Sequence, residues 1–495
     1  MELKNNNREW PKPNERLSQR AIRGGIWIFS LSIINRLFRL ARTIILARVL
    51  APNDFGLMGI ALLAMVTLET FSQTGFNAAL IQKKGKINEY LDTVWTIQVI
   101  RGIVLFGVLL AAAPLVAAFF NTPKATVIVR VIAVSVLLKG FINIGVIYFQ
   151  KEMEFNKVFI YQLSITVADL AVAIPMALIL RSVWALVFGL LAGQFVSCII
   201  SYVIHPFRPS IKMDLKKSRE LFRFGKWIFG STILLFLITQ GDDIFAGKLL
   251  GVTALGLYQM AYMLSNLPAT EITHIISRVA FPAYSKLQDD IYKLRNAYLK
   301  VLQFTAFLSF PVAGLIFVLA PDFTKIFLGE KWMPMVPAMQ VLCIFGMARS
   351  FGATTGPLFN GTGNPKILTH LAMLQLLILG AIIFPLTKQW ELIGISVAVV
   401  IPNIITQLVA ACKVIHIIKV RVFNFLIFLL LPLIGTFAMI ISILFYNHLS
   451  EICLSSFIIS IFIGLVTYLA LIYLLDLIYE SHYKKMVLGL IKSLH

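Results

Sequence analysis

The stretch LARVLAPNDFGL at 46–57 returns two hundred residues later as AGKLLGVTALGL at 246–257, and RGGIWIF at 23–29 returns as RFGKWIF at 223–229. From Arg23–Ala61 to Arg223–Ala261 the match runs without a gap and keeps twelve of thirty-nine residues, including Gly25/Gly225, Trp27/Trp227, Leu50/Leu250, Gly56/Gly256 and Leu57/Leu257. Any two apolar helices are alike in composition. That likeness does not account for a match running through a helix start, a helix end and the turn beyond. A repeat at a fixed offset sets the architecture. Six apolar segments separate the copies, an even number, so the halves share one orientation. Parallel repeats of this kind build two lobes about an axis along the membrane normal.

The chain around the repeat has 495 residues, 59% of them hydrophobic and 14% charged. A soluble domain carries about 45–50% and about 25%. The surplus collects into runs able to cross a bilayer, which takes about 20 apolar residues per helix. Such runs near 24–46, 56–80, 94–118, 126–148, 158–180, 183–204, 227–247, 255–279, 299–320, 335–356, 367–387, 391–412, 425–446 and 453–478 predict fourteen spans. The expected fold is an all-α polytopic membrane protein of about 14 transmembrane helices: two lobes of six and two C-terminal helices outside the repeat. The expected organisation is a polar cytoplasmic tail (1–23), an N-lobe (24–204), a basic cytoplasmic linker (205–226), a C-lobe (227–412), the last two spans (413–478) and a cytoplasmic tail (479–495). The tail before the first span lacks the apolar region of a secretory signal, and the first span reads as uncleaved. Connections are too short for a separate soluble domain.

Lysine and arginine set the orientation. With the N-terminus inside, the cytoplasmic segments hold 29 of the 44 basic residues, counting Lys300 at a span edge, and the opposite side holds seven. Arg208, Lys212, Lys216, Lys217, Arg219, Arg223 and Lys226 crowd the linker alone. Both termini are therefore expected in the cytoplasm. The net charge of +21 then reflects topology and anionic lipid headgroups rather than nucleic acid. Trp27, Trp95, Trp184, Trp227, Trp332 and Trp390 fall near span ends, where interfacial belts form. The four cysteines, Cys198, Cys343, Cys412 and Cys453, are scattered through apolar sequence, which argues against a disulfide framework or metal cage.

GGIW at 24–27, ARVLAPNDFGLMGIA at 47–61 and QGDDIFAGKLLGVTALGLYQMAYML at 240–264 resemble the polysaccharide-exporter branch of the multidrug/oligosaccharidyl-lipid/polysaccharide exporter superfamily. More narrowly, the chain resembles Wzx-type flippases of the colanic acid and teichuronic acid exporter kind. The resemblance implies a V-shaped, alternating-access, two-lobe transporter in the bacterial plasma (inner) membrane. The implied activity moves undecaprenyl-diphosphate-linked oligosaccharide repeat units to the outer leaflet for surface polysaccharide. It implies no cofactor beyond a possible coupling H+ or Na+. Its partners would be membrane lipids, a polysaccharide polymerase and glycosyltransferases.

Thirteen ionisable residues lie within the expected spans: Arg36, Arg39, Arg42, Arg101, Arg130, Lys139, Arg278, Arg349, Glu69, Asp169, Asp242, Asp243 and Glu271. Each costs about 2.5–3.5 kcal/mol at mid-bilayer on the mildest scale. They must pair, snorkel or line a wet cavity. Arg36, Arg39 and Arg42 follow an i, i+3, i+6 spacing and share one helix face with Asn35 and Thr43. A planar guanidinium fork suits phosphate, so this stripe is the foremost candidate for a lipid diphosphate. Arg101, Lys139 and Arg349 are further substrate candidates. The competing reading pairs the arginines with Glu69 and Asp169, or lets Arg42 snorkel.

The repeat sets Arg42 against Asp242 and Thr43 against Asp243. Those acids could pair across the cleft with the arginines in one conformation, bind a coupling ion, or simply mark a wet helix end. Glu271 and His274 share a helix face with Arg278 after Pro268; they could relay a proton or merely satisfy each other. No phosphate loop or catalytic motif appears, so the chain is expected to be a transporter rather than an enzyme. Two rivals remain: a cation-coupled multidrug exporter of the same fold and a membrane-embedded glycan polymerase or ligase. Eight cations against five acids within the spans speak against cationic drugs. Short outer loops speak against the polymerase or ligase.

Overall fold

A computed structural model of the chain describes residues 34–73, 75–82, 87–152, 154–266, 276–277 and 280–479. All regular structure among them is helical. The elements are α1 (34–49), α2 (Pro52–Phe71), α3 (Phe76–Gln82), α4 (Asn88–Phe119), α5 (Ala125–Gly140), α6 (Ile147–Lys151), α7 (Phe155–Leu180), α8 (Trp184–Ile204), α9 (Leu215–Phe245), α10 (Val252–Ser265) and α11 (280–287). They continue with α12 (Ile291–Phe323), α13 (Val336–Gly361), α14 (Lys366–Ile418), α15 (Val422–Leu449) and α16 (Leu454–Tyr479).

Nine helices among the described residues are long and apolar enough to cross a membrane, ten if the bent pair around Gly140 counts as one span. The expected total of fourteen is therefore not reached among them. Several expected spans are interrupted. The run 56–80 breaks in two: the Ser72 hydroxyl donates to the Leu68 carbonyl at 2.6 Å, Gly75 takes a left-handed φ of 70°, and α3 starts at Phe76. The runs 367–387 and 391–412, by contrast, are two helices as expected; within α14 they meet at Glu391, whose φ is 47°. There Gly394 lies directly beneath the Leu386 carbonyl, leaving no room for a Cβ.

Two compact units arise. One takes its described residues from Met1–Val49, Ala64–Pro114 and Thr126–Ser231; the other takes them from Leu50–Leu63, Leu115–Ala125 and Thr232–His495. In the first unit, α7 and α8 pack closely because Gly189 and Gly193 face α7, where a Cβ on Gly193 would sit 3.3 Å from the Ile165 carbonyl oxygen. Phe76, Leu80, Leu91, Trp95, Ile144 and Ile147 form an apolar core below. The linker after α8 is extended and pinned by side chains of α4: Ser210 N–H donates to Asp92 Oδ1 at 2.9 Å and Lys212 N–H to Thr96 Oγ1 at 3.1 Å.

In the second unit the start of α2 crosses α10, so the two copies of the sequence repeat meet. Asn53 touches Thr253 at 3.5 Å, and Gly59 lies under the Gln259 amide. Pro52 suits the first helical position because its missing N–H is no loss there. Asp54 reaches back to the Ala51 N–H at 3.0 Å, half of a capping box. Trp332 departs from the expected interfacial belt. It is fully buried, with its ring edge-on to Phe55 at 5.2 Å, so it anchors the core. The last two helices pack on α12 through Gly314, which lies beneath Thr436 and Met439, and Tyr468 donates to the Phe307 carbonyl at 2.9 Å. Their other faces carry exposed Phe437, Phe445 and Phe462, as a lipid-facing surface requires.

Candidate functional site

The charges foreseen inside the membrane fall into three groups. On α1 the expected stripe is divided. Asn35 and Thr43 are buried, and Asn35 accepts from the Thr166 hydroxyl of α7 at 3.0 Å. Arg42 is ion-paired with Asp169 of α7: its Nη2 donates to Oδ1 at 3.0 Å and its Nε lies 2.7 Å from Oδ2. Asp169 fits there because Gly189 of α8 has no side chain to displace it. Arg36 is half-buried, whereas Arg39 is exposed. The Arg39 Nε donates to the Asn35 carbonyl at 3.3 Å. Part of the stripe is thus an interhelical strut and part is open.

The second group joins α2, α4 and α5. Lys139 Nζ lies 2.8 Å and 3.1 Å from the two oxygens of Glu69. Arg101 donates to the Ser72 hydroxyl at 3.0 Å and to the Glu69 carbonyl at 2.8 Å. Glu69, Arg101 and Lys139 line a cavity of about 710 Å³. Gly102 and Gly140 let α4 and α5 touch there, since a Cβ on Gly102 would sit 2.9 Å from the Gly140 Cα. Beyond Gly140 the chain bends by 69°. Gln98 collects the carbonyls released by the bend, those of Lys139 at 2.9 Å, Gly140 at 3.4 Å and Ile142 at 3.3 Å.

The third group lies in the other unit. Asp242 is 2% exposed and accepts from the Tyr258 hydroxyl at 2.6 Å. This burial overturns the wet-helix-end reading for Asp242. Asp243 meets the Gln259 side chain. Both acids precede a π-helical turn, Ala246–Leu250, that ends at Gly251 with a φ of 87°; such turns recur at functional sites. Arg349 of α13 lies over the Phe345 ring at 6.0 Å and against the Tyr262 hydroxyl. In this conformation Arg42 is matched by Asp169 and Asp242 by Tyr258, each within its own unit. Glu271 and His274 lie outside the described residues, as does Arg278.

Charge reasoning overlooked Tyr258, Gln259 and the glutamines of the cavity. Their signal was present: uncharged polar residues such as Gln98 and Gln194 inside otherwise apolar runs, where an unsatisfied amide is costly.

Residues 45–337, more than half of the chain, match the model of a family described as polysaccharide biosynthesis protein. The chain is similar to the lipopolysaccharide biosynthesis protein WzxC of Escherichia coli strain K12, 27% identical over 348 residues, which cover 69% of this chain and 70% of that one. It is similar also to the teichuronic acid biosynthesis protein TuaB of Bacillus subtilis strain 168, 26% identical over 371 residues covering 74% and 76%. Among solved structures it resembles the lipid II flippase MurJ in an inward closed conformation, with a TM-score of 0.73 at 16% identity over 91% of this chain and 99% of that one. An inward-facing MATE-family multidrug resistance transporter of the MOP superfamily gives a TM-score of 0.64 at 17% identity over 80% and 99%. Identities this low show the fold alone. The matched family, the repeat and the all-helical membrane fold agree, and the chain belongs to the polysaccharide biosynthesis protein family.

Proposed function

We propose that this protein is a flippase that carries polyprenyl-diphosphate-linked oligosaccharide units from the cytoplasmic to the outer leaflet of a bacterial plasma membrane, for surface polysaccharide synthesis. Both termini lie in the cytoplasm, as the 29-to-7 distribution of basic residues supports. A polymerase and glycosyltransferases of the same pathway would be its working neighbours.

One observation carries the reading: in a chain of this family, Arg39 stays exposed on a membrane helix while its neighbour Arg42 is taken by Asp169. A mid-membrane guanidinium is costly without an anion or water, and its planar fork fits the oxygens of a diphosphate. Arg39 and Arg36 are assigned to the diphosphate, with the prenyl tail remaining among lipids. Arg42, held by Asp169, positions α1. Arg101 and Lys139 shape the adjoining cavity, and Arg349 contributes a cation in the other unit. Asp242 and Asp243 are assigned to coupling by a proton or sodium ion. No phosphate loop supplies another source of drive.

The test is complementation of a bacterium deleted for its own repeat-unit flippase, at matched membrane levels. Wild type restores surface polysaccharide, Arg39→Ala abolishes it and Arg39→Lys keeps only part, because an ammonium cannot fork. Equal restoration by all three would remove Arg39 from the site and leave the flippase. Efflux of cationic dyes without any glycan export would replace the reading with a multidrug exporter.

A further inference from the structure

The cavity bounded by α2, α4, α5 and α8 has features that its charges leave unexplained. One wall is a broken helix, bent by 69° between Gly140 and Ile144. Irregular backbone at membrane depth is tolerated only inside protein or beside a water-filled space, and discontinuous helices commonly build substrate sites in transporters. Gln98 holds the break in shape by gathering three carbonyls with one amide nitrogen.

The cations of the cavity are already matched, Lys139 by Glu69 and Arg101 by Ser72 and the Glu69 carbonyl. A site built for bare phosphate would instead present unmatched guanidinium groups. What remains polar is mostly amide: Gln73, Gln150 and Gln194 line the space, with the Thr70 hydroxyl beside them. A carboxamide offers two donors and an acceptor in one plane. That pattern complements adjacent sugar hydroxyls, each of which both donates and accepts. Apolar walls from Phe76, Val136 and Ile147 suit the C–H faces of a sugar ring. The volume of about 710 Å³ lies within the roughly 300–1,000 Å³ of small-ligand sites.

We propose that this cavity is a carbohydrate subsite in which Gln73, Gln150 and Gln194 read the hydroxyls of an uncharged part of the glycan. The inference rests on the flippase reading, and it separates two tasks: arginines of α1 take the diphosphate, and the amide cavity takes sugar. The Glu69–Lys139–Arg101 network keeps the wall shaped rather than binding the ligand.

The experiment uses the full-length protein in detergent and the repeat-unit oligosaccharide of the source strain, cut from its lipid carrier with mild acid. Binding is followed by calorimetry, and leaflet transfer of the intact lipid-linked unit is measured separately in vesicles. Wild type binds the free oligosaccharide. Gln150→Leu/Gln194→Leu weakens that binding about tenfold or more, the size expected when a hydroxyl-reading site loses its polar partners, with an unchanged unfolding midpoint. Gln194→Asn, which shortens the amide but keeps it, retains part of the affinity. Absence of binding by wild type, or equal binding by the leucine variant, overturns the subsite, even if wild type transfers the lipid-linked unit. Sugar binding lost in the leucine variant, with no transfer by wild type, upholds the subsite and removes the flippase reading.

Discussion

Gly56 and Gly256, two hundred residues apart, stand face to face where α2 crosses α10. Gly56 lies under the Val252 carbonyl and Gly256 under the Pro52 carbonyl, while a Cβ on Gly256 would also come within 2.8 Å of the Gly56 nitrogen. Pro52 and Val252 are themselves equivalent positions of the repeat. The crossing is therefore reciprocal, with each copy giving the other a glycine seat for its first helical carbonyl.

Because backbone rather than flexible side chain occupies the space, Gly56→Ala and Gly256→Ala are each expected to destabilise the protein by about 1–3 kcal/mol. Gly107→Ala, whose Cβ would meet open space, should leave stability unchanged. Thermal unfolding of the purified protein checks this. Identical midpoints for all three variants would rule out a tight crossing.

Arg42 and Asp169, each 21% exposed, form an ion pair between α1 and α7. Removing one partner leaves the other charge stranded in a poorly solvated place. The double variant Arg42→Ala/Asp169→Ala should consequently be less damaged than the sum of the singles. A double-mutant cycle on unfolding free energy should return a coupling of about 0.5–3 kcal/mol. Strict additivity would mean that the pair does not hold the helices together.

His205 closes α8 at the start of the linker, stacked on Tyr148 at 5.7 Å, with its Nδ1 accepting the Phe207 N–H at 3.1 Å. Burial first, and then the Lys157 and Arg208 charges, push its pKa down, with Glu154 opposing. The folded state thus favours the neutral ring. Its contribution is complete above the ordinary histidine value of about 6.5 and is lost as the pH falls below that towards the lowered folded value. Acidifying from about pH 7.5 to about pH 5.5 should lower the unfolding midpoint more in wild type than in His205→Asn, which keeps an acceptor but cannot titrate. An equal fall in both would contradict this.

Cys453 sits exposed in the turn between α15 and α16. The Ser455 hydroxyl at 3.0 Å and the Ser456 N–H at 3.5 Å stabilise its thiolate, holding the thiol down to about 7. Nucleophilicity follows the thiolate, so alkylation by a membrane-impermeant maleimide should rise with pH through about 7 rather than the usual 8.5. With cytoplasmic termini this turn faces outward, and intact cells should label there, with the signal vanishing in Cys453→Ala. Labelling only after lysis would invert the assigned orientation.

Much of the architecture was legible in one dimension. Long apolar runs force helices because lipid satisfies no backbone polar group. The spacing of the copies, read from Gly56/Gly256 and Leu57/Leu257, anticipated two similar helices. Less was legible where a span is interrupted: the break after Gly140 lies in apolar sequence that reads as continuous helix, whereas the turn at Glu391 was marked by the polar stretch TKQWE at 387–391. Hydropathy measures the cost of leaving water, and that cost changes little when a helix bends.

The site divided in the same way. The sequence by itself determined that charges such as Arg39, Arg42, Asp169 and Lys139 must be accommodated inside the membrane, because their desolvation cost follows from residue type and depth alone. It determined membrane class, helical content and the resemblance to polysaccharide exporters for the same reason: composition and local pattern carry them. Only the tertiary structure decided that Arg42 is matched while Arg39 is open, that Tyr258 satisfies Asp242, and that the glutamines of α4 and α8 meet in one cavity. Pairing depends on which helix faces which, and the contacts that choose those faces, Gly189 against Asp169 and Gly56 against Val252, join residues far apart in the chain.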